Sequence, residues 1–138
     1  MPGLTRTFEV DSRPVDGSVV KVATILPIRR YRHLPGFLRA NSAIVRELKG
    51  SPGLVRFAVR AHLIQRRFYT LSVWRDRPSM VRFVRSPPHA RAMGQFEHWR
   101  DSGAKFVDWP SPDARLDWTE GLRRLAEAPS LDDYHVQA

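Results

Sequence analysis

His89 is the side chain of this 138-residue chain best suited to exchange a proton at neutral pH, because an unperturbed imidazole titrates near about 6.5. It stands just ahead of Ala92, Met93, Phe96 and Trp99, which recur at helical spacing. Together with Phe68, Trp74 and Phe83, the Met93, Phe96 and Trp99 side chains could line a dry pocket. Arg56 and Arg60 share one face of a strand and could hold an anionic substrate. A base, a water-poor pocket and nearby positive charge are the parts a cofactor-free oxygenase needs: the substrate is ionised, and the superoxide that develops is stabilised. Each residue has a plainer role too. The aromatic and Met residues have ordinary core spacing. His89 follows two prolines at a helix start, where it can serve free backbone N–H groups. Arg56 and Arg60 suit a solvated face or a subunit interface.

Other chemistries find no support in the residues. There is no cysteine, which excludes disulfides, thiolate catalysis and Cys-ligated metals. His33, His62, His98 and His135 have no partner at metal-ligand spacing, so no metal site is expected. Gly50-Ser51-Pro52-Gly53 is a turn and not a phosphate loop, and there is no serine elbow or paired-carboxylate pattern. The net charge is +9, yet of the 23 basic residues 20 are Arg and 3 are Lys, scattered with no run longer than a pair. That bias is what a GC-rich genome produces, so no specific nucleic-acid partner is expected. No apolar run approaches the roughly 20 residues that span a bilayer, and the first residues lack a signal-peptide core. A cytoplasmic protein with no membrane partner is the expectation.

The elements that must position these residues follow from periodicity. Residues 1–17 read as an N-terminal arm and Val19–Leu26 as a first strand. Phe37, Leu38, Asn41, Ile44, Val45 and Leu48 form one helical stripe, closed by the Gly50–Gly53 turn. Leu54 to Leu63 alternates, with Val55, Phe57, Val59, Ala61 and Leu63 on one face and Leu54, Arg56, Ala58, Arg60 and His62 on the other. A hairpin then leads into a strand over Phe68–Trp74. Pro78 can open a short helix carrying Met80, Phe83 and Val84. Ser86-Pro87-Pro88 breaks it, and a second helix restarts at His89. Lys105–Trp109 is a last strand. Asp117 caps a final helix in which Leu122 and Leu125 pack inward and Arg123 and Arg124 outward. The domain spans residues 18–127, and a loose tail runs over 128–138.

This order is the ferredoxin-like β-α-β-β-α-β pattern, an α+β fold with an antiparallel sheet and an extra C-terminal helix. All helices are expected on one face. The other, carrying Arg56, Arg60 and His62, is too polar for a core, so a sheet-to-sheet homodimer is expected to cover it.

The run Leu71–Met93, with Trp74, Asp76, Phe83, Ser86 and His89 in order, resembles the antibiotic biosynthesis monooxygenase-like family of the dimeric α+β barrel superfamily. The resemblance implies a homodimeric barrel and monooxygenase-like activity on a hydrophobic, aromatic or isoprenoid small molecule, without a cofactor. His89 would be the catalytic residue, and Trp74, Phe83, Met93, Phe96, Arg56 and Arg60 would bind the ligand. A non-catalytic ligand-binding or interaction protein on the same scaffold is the alternative. In the haem-degrading branch, Phe83 falls where the pattern has a Trp, Met93 where it has the ligating His, and Val19–Leu26 lacks its Asn. A haem-binding relative would have to use His89 instead.

Overall fold

The computed structural model describes residues 3–132. Its strands are β1 (Leu4–Glu9), β2 (Val19–Pro27), β3 (Leu54–His62), β4 (Arg67–Trp74) and β5 (Lys105–Ser111). They form one antiparallel sheet in the order β1-β3-β4-β2-β5. Without β1 this is the ferredoxin-like arrangement expected from the sequence. The sheet is open. β1 was not foreseen: the N-terminal arm lies along the edge of β3, where Phe8 stacks on Phe57 at 4.7 Å between ring centres. Its run Leu4-Thr-Arg-Thr-Phe8 alternates too weakly to stand out without a neighbour. Asp11, which follows it, is tied to Arg75 at 3.2 Å.

The helices are α1 (Leu34–Lys49), α2 (Arg77–Val84), α3 (Pro87–Trp99) and α4 (Trp118–Glu127), with a single 3₁₀ turn at Tyr31–His33. Local chemistry sets their ends. Asp76 accepts from the Ser79 N–H at 2.8 Å, which satisfies a free donor of α2 and holds the Asp76 carboxyl below its ordinary pKa. Asp117 caps α4 in the same way through Glu120. Helix α3 starts at Pro87, where a missing N–H removes no helical bond. Of the stripe proposed for α1, Leu38 faces outward and is exposed, while Phe37 and Leu48 are buried.

Two expectations about the sheet faces are corrected. First, the alternation of β3 is broken by a bulge between Leu54 and Arg56. Leu54 and Phe57 pack under α1 and α2, whereas Val55 crosses to join Val19 and Val73 on the other side. Second, the helices do not share one face. Helix α4 and the loop before it cover the side expected to meet a second copy: Leu125 packs on Ala23, Leu71 and Trp109, and Ala114 and Leu116 pack on Val19, Val55 and Val73. Gly121 permits that close approach, since a Cβ there would stand 3.3 Å from Leu71 Cδ1. Leu122, expected inside, is on the outer flank of α4. Beneath the same loop Lys21 is 2 % exposed and pairs with Asp113 at 3.0 Å. The start of the tail is docked as well. Leu131 N–H donates to Ala104 O at 2.8 Å, and Asp132 accepts from Arg100 at 2.9 Å. Residues 133–138 lie outside the described residues.

Candidate functional site

Between α1, α2, α3 and the sheet lies a cavity of about 610 Å³. It separates two hydrophobic clusters on the same sheet face: Val22, Leu48, Phe57, Trp74 and Met80 at one end, and Phe37, Phe68 and Phe96 at the other. Small or polar residues on the central strands keep it open. Thr24 of β2 and Thr70 and Ser72 of β4 face the cavity, where aliphatic side chains would fill it. Their hydroxyls are not idle. Thr24 and Thr70 hydrogen-bond to each other, and Ser72 Oγ accepts from the Trp74 indole N–H at 2.9 Å. Gly36 at the start of α1 lies against Trp99, with space for a Cβ only 3.1 Å from Cζ2, and so holds α1 and α3 together over the cavity.

The aromatic residues form a line along one wall. Phe83 lies 5.6 Å from Trp74 and 5.0 Å from His89, the latter edge-on. His89 sits in the first turn of α3, and its buried Nδ1 has no hydrogen-bond partner. Burial lowers its pKa below the ordinary imidazole value, against the opposing pull of the Val84 backbone. The positive end of a helix adds no help to an imidazolium placed there. The ring therefore favours its neutral form more strongly than a free imidazole does.

Of the residues singled out from sequence, Trp74, Phe83, His89, Met93, Phe96 and Trp99 line this one cavity. Phe68 is near but packs beneath Phe37, 4.5 Å between ring centres. Arg56 and Arg60 do not belong to the group. They emerge on the opposite sheet face, the physical consequence of strand alternation with Phe57 and Val59 facing the helices. There Arg56 binds Glu9 and the Ala114 carbonyl, and Arg60 donates to Thr5 Oγ1 and covers the Trp118 ring. Sequence reading missed Asn41 of α1 and the hydroxyls of Thr24, Thr70 and Ser72, all of which line the cavity. The signal was available in Thr70-Leu-Ser-Val73, a strand whose polar and aliphatic residues alternate.

Among the described residues, no group of three or more His, Asp or Glu side chains could hold a metal ion. His89 is the only imidazole among the described residues that line the cavity. With Phe83 and Met93 at the other diagnostic positions, the donor set does not match a haem-degrading arrangement.

No family model matches the sequence, and no curated protein matches it. Solved structures do match its fold. A conserved protein from Methanosarcina mazei superposes with a TM-score of 0.60 at 14 % identity, over 66 % of this chain and 90 % of its own. An antibiotic biosynthesis monooxygenase superposes at 0.60 and 14 %, over 70 % and 98 %. A mutant of SnoaB, a cofactor-independent oxygenase from Streptomyces nogalater, superposes at 0.55 and 13 %, over 74 % and 100 %. The fold is thus that of antibiotic biosynthesis monooxygenase-like proteins with a ferredoxin-like sheet.

Proposed function

We propose that this protein is a cofactor-independent monooxygenase-like enzyme in which His89 ionises a hydrophobic aromatic substrate held in the cavity. The observation that carries the reading is His89, a buried imidazole whose Nδ1 makes no hydrogen bond, in the lining of an apolar chamber with a few hydroxyls, the usual make-up of a small-molecule site. The fold neighbours, one of them a cofactor-independent oxygenase, support it.

An imidazole can remove only an acidic proton, which a conjugated phenol or anthrone offers and an isoprenoid hydrocarbon does not. In this scheme His89 takes a proton from such a carbon acid, and the resulting carbanion passes one electron to O₂. The radical pair recombines to a peroxide, and loss of water leaves a carbonyl. Overall, one CH₂ and O₂ become C=O and H₂O. Once protonated, His89 is itself the positive charge beside the developing superoxide. Arg56 and Arg60 are on the wrong face to serve. Thr24, Thr70, Ser72 and Asn41 would orient the oxygen substituents of the ring system. The same oriented, dry cavity could hold a ligand without turning it over, and the test separates these readings.

Helix α4 covers Ala23, Leu71 and Trp109 on the face that a sheet-to-sheet homodimer was expected to bury, so a second copy is not needed to cover them.

The test is oxygen uptake with a hydroxylated anthrone, alongside ligand binding by fluorescence quenching of the cavity tryptophans. His89→Ala is expected to keep the fold and the binding while losing about 10²–10⁴ of the rate. Binding without turnover in the wild type would make the protein a carrier. A wild-type rate that survives His89→Ala would remove the imidazole from the chemistry.

A further inference from the structure

Four of the seven large hydrophobic side chains exposed among the described residues gather at one end of the molecule: Leu4 (67 %), Tyr31 (56 %), Ile64 (55 %) and Leu63 (42 %). The same end carries Arg29, Arg30, Arg32, Arg66 and Arg67. Two loops distant in sequence build it. The Ile28 N–H donates to Arg66 O at 2.8 Å, and Arg66 Nε donates back to Ile28 O at 3.1 Å. The Tyr31 hydroxyl donates to Ile64 O at 2.6 Å, and the Arg66 guanidinium lies over the Tyr31 ring at 4.4 Å. Arg66 is held at a φ of +57°, a left-handed conformation that glycine or asparagine adopts more easily. Its side-chain lock on Ile28 and Tyr31 keeps an arginine there. Leu4 joins the group because β1 pairs it with Ala61, beside the hairpin.

None of these five arginines makes an ion pair among the described residues. Glu97 is paired with Arg100, and Asp101 accepts from the Ser102 N–H but makes no ion pair among the described residues. The positive charge is felt locally. His33 is driven below its ordinary pKa by burial first, and then by Arg32, Arg29 and Arg30.

We propose that this end docks the protein on an anionic phospholipid surface. Arginines match headgroup phosphates in geometry and charge. Leu63 and Ile64, at the tip of a hairpin, can enter the acyl boundary while Tyr31 sits at the headgroup level. A nucleic acid would also use the arginines. It would gain nothing from an aliphatic tip, because bases stack on aromatic side chains and not on leucine or isoleucine. No helix among the described residues is long and apolar enough to cross a membrane, and docking needs none. The proposal stands apart from the reaction in the cavity: His89→Ala would dock unchanged.

The experiment is co-sedimentation of the full chain with vesicles of phosphatidylcholine alone or mixed with phosphatidylglycerol, at low and high salt. The wild type is expected to partition onto the mixed vesicles and to leave them as salt rises. Arg29→Ser/Arg30→Ser/Arg32→Ser should weaken partitioning roughly a hundredfold, since each basic residue near an anionic surface contributes about fivefold. Leu63→Ser/Ile64→Ser should weaken it by about a hundredfold while leaving the salt dependence. Arg82→Ser/Arg91→Ser, on α2 and α3, is the control and should bind as the wild type does. Melting curves establish that each variant is folded, and Arg30→Glu alone replaces the triple variant should it not fold. Failure of the wild type to partition onto anionic vesicles at low salt overturns the proposal. So does loss of binding in the control, or binding indifferent to Leu63 and Ile64. Arginine-dependent capture of duplex DNA or RNA, with no vesicle binding, would point to a nucleic acid instead.

Discussion

The two faces of the central strands are built from neighbouring residues and behave oppositely. On β4, Leu71 and Val73 are almost wholly buried beneath α4 and the loop before it, while Thr70 and Ser72, one residue away, look into the cavity. On β2, Ala23 is packed and Thr24 is not. One face is filled by a ten-residue helix lowered onto it through Gly121; the other is spanned by three helices that leave about 610 Å³ between them. Interiors normally close-pack. A face that does not, and that also carries a buried imidazole whose Nδ1 makes no hydrogen bond, is where a ligand is to be sought.

The sharpest way to break this comparison is kinetic. His89→Ala should remove about 10²–10⁴ of any oxygenase rate and shift little of the stability, measured by oxygen uptake beside a thermal melt. Truncations should then separate the faces. Leu71→Ala, on the packed side, should lower unfolding free energy by about 2–5 kcal/mol in a urea titration. Met93→Ala only enlarges an existing cavity and should fall at or below the low end of that range, while weakening ligand binding. Equal stability losses from the two would mean that both faces are packed alike.

A smaller effect is expected from pH. Folding lowers the His89 pKa, so the folded chain binds fewer protons than the unfolded one once pH falls below about 6.5. Stability attributable to the neutral ring is therefore whole above that value and is lost as pH drops toward the folded pKa. His89→Phe should flatten this decline relative to the wild type, read as the difference between their melting temperatures on either side of pH 6.5. His33 shifts in the same direction and is retained in both proteins, so the difference isolates His89. The smallest change concerns α3. Gly94 has nothing within 4 Å of where a Cβ would stand, so Gly94→Ala should stabilise by about 0.5–1 kcal/mol without altering binding.

Much of the framework was legible because its signals are local. Pro78, Ser86-Pro87-Pro88 and Asp117 mark helix ends through bonds made within a few residues, and the aromatic and Met spacing from Trp74 to Trp99 picked out six residues that line the cavity. Arg56 and Arg60 were assigned to the right sheet face, away from the helices, but to the wrong site, because the cavity opens on the helix side. The bulge at Val55 then moves a residue that strict alternation assigns to the wrong side.

By itself the sequence determined the order and type of the elements, the single helix break and the aromatic–His89 wall, since each depends on neighbours within a turn or a pleat. Only the tertiary structure decided that α4 folds over the second sheet face, that the N-terminal arm becomes a strand, and that loops around Arg30 and Arg66 meet at one end. Those outcomes depend on apolar surface and hydrogen bonds contributed by residues far apart in the chain, and no local pattern records which distant partner will supply them.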